Sequence, residues 1–283
     1  PFADTRTEDV FVPKTKYSLF IGDDKKTESN LLSTKSLTKA SSRSFLFSRE
    51  MINVLRKNCK EAYHLALVEY LVRFGHFELF IINTANAGLI TLNALPFAFR
   101  YDENGKSTYG NLMIKLNGAS SVPQEALDVV KKVIDNMNIV LSQIIPGLTI
   151  SIIDLGTELK ENGKTAARIQ LVSHKNAKDI PLQYESEGIK KIISILQLLI
   201  VVYNKPSITV AVDEIDSGVF EYLLGEILHI ISERGKGQLI FTSHNLRPLE
   251  TIDKGFIAFT TTNPENRYIR LSNIKTNNNL RDF

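Results

Sequence analysis

The feature that most constrains this chain is a short run toward its C-terminal end. Ile208-Thr209-Val210-Ala211-Val212 is apolar and β-branched, and it stops on two adjacent carboxylates, Asp213 and Glu214. Such a run predicts a strand buried on both faces. One helical face precedes it (Ile189, Ile192, Ile193, Leu196, Leu199, Ile200, Tyr203); another helix, over 219–231, and a second apolar run, Gln238-Leu239-Ile240-Phe241, follow. Helix, buried strand, helix, buried strand predicts right-handed parallel crossovers with the chemistry in loops at the strand ends. The fold class expected is therefore α/β with a mostly parallel sheet.

The earlier part of the chain is less regular. Residues 1–22 are weakly strand-like, and 23–44, rich in Lys, Ser and Thr, predict an exposed loop. Apolar positions from Ile52 to Phe74 step by three or four, which predicts one amphipathic helix over 48–74 ended by Gly75. Strands are expected within 77–118, and a second helix from Pro123 to Ile145, stopped by Pro146-Gly147. Strands over 148–155 and 166–173 flank Asn162-Gly163, a hairpin signal, and a last strand pair is expected around 256–259 and 268–271.

Composition removes several function classes. With Cys59 as the one cysteine, neither a disulfide framework nor a cysteine-cluster zinc site can form. No apolar run approaches the roughly 20 residues a membrane helix needs, and no basic segment leads an apolar core near Pro1, so the chain reads as cytoplasmic with no membrane partner. A formal net charge of +3 gives little electrostatic footprint for nucleic acid.

Four short features, in order, carry the chemistry. Tyr184-Glu185-Ser186-Glu187-Gly188 opens a helix, so Ser186 and Gly188 sit where free N–H groups and the dipole favour an anion; a plain Ser cap is the competing reading. Lys190 and Lys191 read as charges on that helix's surface. Asp213 and Glu214 at a buried strand's end suit phosphoryl transfer, one carboxylate holding magnesium and the other orienting water; a solvated acidic turn is the alternative. Asp216, in Ile215-Asp216-Ser217-Gly218, shapes a subunit-contact loop or caps the next helix. His244, in Thr242-Ser243-His244-Asn245, stands at the end of the next strand in register with the acids, where it could hydrogen-bond a terminal phosphate; a structural histidine is the competing reading.

Ser-x-Gly helix, Asp-Glu strand, Asp loop and Ser-His strand together resemble the C-terminal half of an ABC-class ATPase head, closest to the RecF, SMC and OLD-like group and the AAA-family ATP-binding proteins of bacterial abortive-infection and phage-defence loci. The match covers 148–283 well and 1–147 in outline. The resemblance implies a P-loop NTPase-like lobe over 148–283, with 1–147 the remainder of an N-terminal lobe carrying a helical and strand insertion. It implies that Ser186, Glu187 and Gly188 form the signature that caps the γ-phosphate of ATP held by a partner subunit. Asp213 would be the Walker B magnesium carboxylate, Glu214 the general base or water-positioning residue, Asp216 the D-loop residue and His244 the switch histidine. The signature departs from Leu-Ser-Gly-Gly-Gln in having Glu187 where a Gly is usual. ATP and Mg2+ are the implied cofactors, and the implied assembly is a homodimer closing over two nucleotides, with DNA or a defence effector as a further partner.

The phosphate cradle Gly-x4-Gly-Lys-Ser/Thr is absent. Gly105-Lys106-Ser107 has Arg100 where the first Gly belongs, and Gly163-Lys164-Thr165 has Glu158 there. In the resembling families the cradle lies near the N-terminus, so with Pro1 in first place it is expected upstream or on another polypeptide. The helices at 48–74 and 122–145 are too short for a long coiled coil, and no nuclease domain fits after Phe283. Two other functions compete with the ATPase: a non-catalytic interaction module serving a separate ATPase subunit, and a metal nuclease using Asp213, Glu214 and Asp216.

Overall fold

A computed structural model describes residues 20–83, 93–103, 105–160, 163–175 and 178–270. Most of the strand-like stretch at 1–22 therefore lies outside the described residues, although Phe20 and Ile21 are helical. The chain divides into two compact units, Pro1–Leu79 and Phe80–Phe283.

The first unit is helical. Instead of the expected loop, residues Lys25–Ala40 form α1. Asp24 caps it: its carboxylate accepts from the N–H groups of Lys26 and Thr27 and from the Thr27 hydroxyl, the last at 2.6 Å. The Thr27 hydroxyl and N–H are the main reasons the Asp24 carboxyl titrates below its ordinary value. Capping and a narrow inward stripe of Thr27, Leu31 and Thr38 offset a surface too polar to show periodicity. The expected helix over 48–74 is two, α2 (Arg49–Asn58) and α3 (Ala62–Arg73), parted at Cys59-Lys60-Glu61 and followed by a π-type turn over Phe74–Glu78. Ile21, Leu31, Phe45, Met51, Ile52, Leu55 and Val68 make this unit's core.

The second unit holds three kinds of layer. A small sheet of order β1-β8-β9 comprises β1 (Leu79–Ile82), β8 (Thr209–Val212) and β9 (Gln238–Phe241), with β8 and β9 parallel. The remaining sheets are antiparallel, which corrects the expectation of a mostly parallel sheet. The hairpin of β2 (Ala94–Glu103) and β3 (Lys106–Lys115) turns at Gly105, φ +75°. A four-stranded sheet joins β4 (Ser120–Pro123), β5 (Thr149–Leu159), β6 (Thr165–Lys175) and β7 (Lys178–Pro181) around a central β6. The reason is local: close hairpins turn the chain straight back between β2 and β3, β5 and β6, and β6 and β7, while the helix between β4 and β5 crosses over the sheet without making the two neighbours. Both Gly-Lys-Ser/Thr lookalikes fall at these hairpin turns, each leading into a strand rather than a helix.

The helix α4 (Gln124–Ile144) presents Leu127, Val130, Val133, Ile134, Met137 and Leu141 inward, with Pro123 just outside its first turn. Helix α5 (Glu187–Asn204) is apolar nearly all round and buried through most of its length, as a central core helix must be. Gln197 on it donates to the Arg100 carbonyl of β2 at 3.0 Å. Helix α6 (Glu221–Arg234) connects β8 to β9, the short α7 (Pro248–Thr251) follows, and β10 (Phe259–Thr260) pairs antiparallel with β11 (Tyr268–Ile269). No helix among the described residues is long and apolar enough to cross a membrane.

Candidate functional site

Register builds the site. In the parallel pair β8–β9, Val212 stands level with Phe241. The residues that follow, Asp213-Glu214 and Thr242-Ser243-His244, therefore leave the sheet side by side. Backbone bonds continue the alignment past the strand ends, from Thr242 N–H to Val212 O (3.1 Å) and from Ile215 N–H to Thr242 O (3.0 Å).

Thr242 ties the two tips together. Its hydroxyl donates to Asp213 Oδ1 at 2.6 Å and accepts from the Glu214 N–H at 2.8 Å. Glu214 takes the left-handed backbone region, φ +49°, a conformation that is costly for a residue with a side chain. It is held there from both ends: its N–H is bonded to Thr242, and its carbonyl accepts from Lys191 Nζ and from the Ser217 N–H. The turn brings the Glu214 carboxylate to 3.5 Å from His244 Nε2. Asp216 sits beneath, its carboxylate accepting from the His244 and Asn245 N–H groups at 3.2 and 3.0 Å. Asp213, Glu214, Asp216 and His244 thus form one connected cluster, with the His244 side chain 82% exposed to whatever approaches.

The start of α5 reaches the same cluster. Ser186 is its N-cap, accepting from the Ile189 N–H at 3.3 Å. That occupies a lone pair, and among the described residues the hydroxyl donates to no acceptor. Glu187 follows in the first turn, where a carboxylate complements the helix dipole. Gly188 lies against the loop after Glu214: a Cβ there would come within 2.1 Å of the Gly218 carbonyl oxygen. Gly218 itself adopts φ +74°. Upstream, the buried Ser173 hydroxyl donates to Glu185 at 2.7 Å and fixes the turn into Ser186.

Lys190 and Lys191 are not surface charges: their relative exposures are 8% and 6%. One helical turn on from Gly188, Lys191 shares its inward face and points its ammonium at the acidic turn. Burial lowers the Lys191 pKa, against the opposing pull of Asp216, Glu214 and Asp213. Lys191, Thr242 and Gly218 are the residues that sequence reasoning gave no role. For Lys191 the signal was its three-residue spacing from Gly188.

For a divalent cation, Asp213 has the suitable donor set. Its Oδ1 is taken by Thr242, and Oδ2 accepts no hydrogen bond among the described residues. One carboxylate oxygen suits magnesium, which keeps several waters and takes phosphate oxygens as further ligands. Among the described residues no group of three His, Cys, Asp or Glu side chains is placed to hold a metal by itself.

No family model matches the sequence, and no curated protein matches it. Several solved structures do in part. One is the SmcHead bound to the C-winged helix domain of ScpA, 15% identical, with 46% of this chain and 40% of that chain covered and a TM-score of 0.36. A second comes from work titled as the structural biochemistry of ATP-driven dimerisation and DNA-stimulated activation of SMC ATPases; it is 16% identical, covers 52% and 87%, and has a TM-score of 0.39. A third is the Smc head domain with an extended coiled coil bound to the C-terminal domain of ScpA from Pyrococcus furiosus, 13% identical, covering 81% and 46%, with a TM-score of 0.34. The chain spans less than half the length of the first and third of these.

Proposed function

We propose that this chain supplies the acidic tip and the signature helix of an ATPase head that dimerises around ATP. Asp213 would hold magnesium, Glu214 would orient the attacking water, and His244 would hydrogen-bond the terminal phosphate. Ser186, Glu187 and Gly188 would cap the γ-phosphate bound by a partner copy, with Asp216 shaping the loop between. The observation that carries this reading is the level register of β8 and β9, which delivers an Asp-Glu pair and a histidine together while α5 begins against the same loop.

Exposure supports closure by a second subunit. Tyr184, Phe220 and Leu246, each within a few residues of the cluster in sequence, leave 73%, 73% and 48% of their surface open. Binding at a shared interface stabilises the closed dimer by mass action, and loss of the bound group releases it. A role in phage defence or DNA metabolism belongs to the same proposal, and stimulation of turnover by duplex DNA is its readout.

The test is ATP turnover in an assembly that contains a phosphate cradle as well as this chain. Glu214→Gln should lower kcat by about 10²–10⁴-fold, the usual worth of a positioned base, with nucleotide affinity kept. The 283 residues alone should show no Glu214-dependent turnover. Turnover insensitive to Glu214 would overturn the assignment. A second reading, a non-catalytic module serving a separate ATPase, is favoured by the missing Gly-x4-Gly-Lys-Ser/Thr cradle, and it predicts that same insensitivity.

A further inference from the structure

The antiparallel sheet carries a second chemical constellation, which shares no residue with the acidic tip. His174 lies on the central strand β6. Its cross-strand partner on β7 is Asp179, and Ser151 on β5 is its diagonal neighbour, Thr149 being directly opposite. Alternation places the three side chains on one face of the sheet. They are joined in a relay: His174 Nδ1 is bonded to Asp179 Oδ1, and His174 Nε2 lies 2.5 Å from Ser151 Oγ. An ionised Asp179 only accepts, so Nδ1–H donates to it and Nε2 is left as the lone-pair nitrogen, to which the serine hydroxyl donates.

A hydroxyl bonded to a base that is itself oriented by a third group is the arrangement that makes a serine nucleophilic. We propose that Ser151, His174 and Asp179 form an acyl-transfer site, with Ser151 as nucleophile, His174 as general base and Asp179 as the positioning residue.

Two neighbours bear on the substrate. On the face of β5 that carries Ser151, Ile153 stands two residues along, 39% exposed, and Leu155 follows in the bulge after Asp154, 44% exposed; they offer apolar surface for a short acyl chain. The Ile150 backbone turns both N–H and C=O outward to Asn138 of α4, each at 2.8 Å. By alternation the Ile152 N–H points to the same edge, so the amide immediately after the nucleophile faces away from β6 and is able to meet an oxyanion. The class of substrate is an ester of a short apolar acid with a good leaving group.

The reaction balances without a co-reactant other than water. Ser151 Oγ attacks the acyl carbon as Nε2 takes the hydroxyl proton. The tetrahedral oxyanion collapses, the bond to the alcohol oxygen breaks, and the alcohol leaves with that proton. Water, deprotonated in the same way, then releases the carboxylic acid and restores the serine.

The site is separate from the ATPase reading, and its test needs neither nucleotide nor partner. The full 283-residue chain is treated with a fluorophosphonate probe and with p-nitrophenyl butyrate, and the modified peptide is identified by mass spectrometry. Ser151 should be labelled. Ser151→Ala should abolish labelling of that peptide, and His174→Gln should lower the acylation rate by about 10²-fold, the lower end for general-base activation. Asp179→Asn should lower it nearly as far as His174→Gln does, because an amide at 179 can donate to Nδ1 and favour the wrong tautomer, and Asp179→Glu should restore part of that, a pattern a purely structural role would not produce. Melting curves identify any variant that fails to fold, and the Asp179 pair decides the matter if His174→Gln is one of them. Labelling of Ser151 no faster than of other surface serines, or equally fast in Asp179→Asn, would overturn the proposal.

Discussion

Gly188→Ala tests whether the signature helix and the acidic loop are joined as described. A Cβ at 188 would lie 2.1 Å from the Gly218 carbonyl oxygen and 3.1 Å from its carbon. Both are backbone atoms, so no side chain can swing aside. Ordinary contact begins near 3.4 Å, so the loop must retreat by more than an ångström. Overpacking of this kind costs about 1–3 kcal/mol. Alanine recovers some of this through helix propensity, up to about 1 kcal/mol in a helix interior and less in a first turn. A net loss of about 1–2 kcal/mol lowers Tm by about 2–8 °C in a unit of this size. Differential scanning calorimetry reads it directly, with Gly118→Ala as control because nothing lies within 4 Å of a Cβ there. A Gly188→Ala protein as stable as the control variant would refute the close approach.

Other perturbations address the same cluster. Thr242→Val keeps the shape but deprives both Asp213 Oδ1 and the Glu214 N–H of their partner; denaturant unfolding should show a loss of about 1–2 kcal/mol, and an unchanged midpoint would contradict the bridging role. Lys191→Met tests burial of the ammonium. The folded-state pKa lies below the unfolded value of about 10.4, so the unfolded chain holds more protons and wild-type stability rises with pH from the folded pKa up to that value. The difference between wild type and Lys191→Met, measured by unfolding at pH 7 to 10, should therefore shift in favour of wild type as pH rises; a constant difference would mean an ordinary solvated lysine.

What the sequence made legible was set by how local the signal is. The run Ile208–Val212 ending in Asp213-Glu214, and Gln238–Phe241 ending before His244, announce two buried strands and what they carry, because burial and chain exit are written within a few residues. Their pairing follows from the helix between them. Helix α1 is hidden because its inward stripe is mostly threonine and its stability leans on the Asp24 cap. The break at Cys59-Lys60-Glu61 is hidden for the opposite reason, since apolar spacing runs on across it without Gly or Pro. Lys191 reads as a surface charge until Gly188 is known to face Gly218. The relay of Ser151, His174 and Asp179 depends on strand register, which no spacing in the chain declares.

In the proposed dimer, Ser186 at the start of α5 meets a phosphate held by another copy. Ser186→Asp keeps a good helix cap while placing negative charge where that phosphate would sit. Sedimentation velocity with and without Mg–ATP, alongside nucleotide titration, in an assembly that includes the phosphate cradle, measures both consequences. ATP-dependent dimer should be lost while each subunit still binds nucleotide. Equal loss of both, or a dimer that forms as before, would contradict the account.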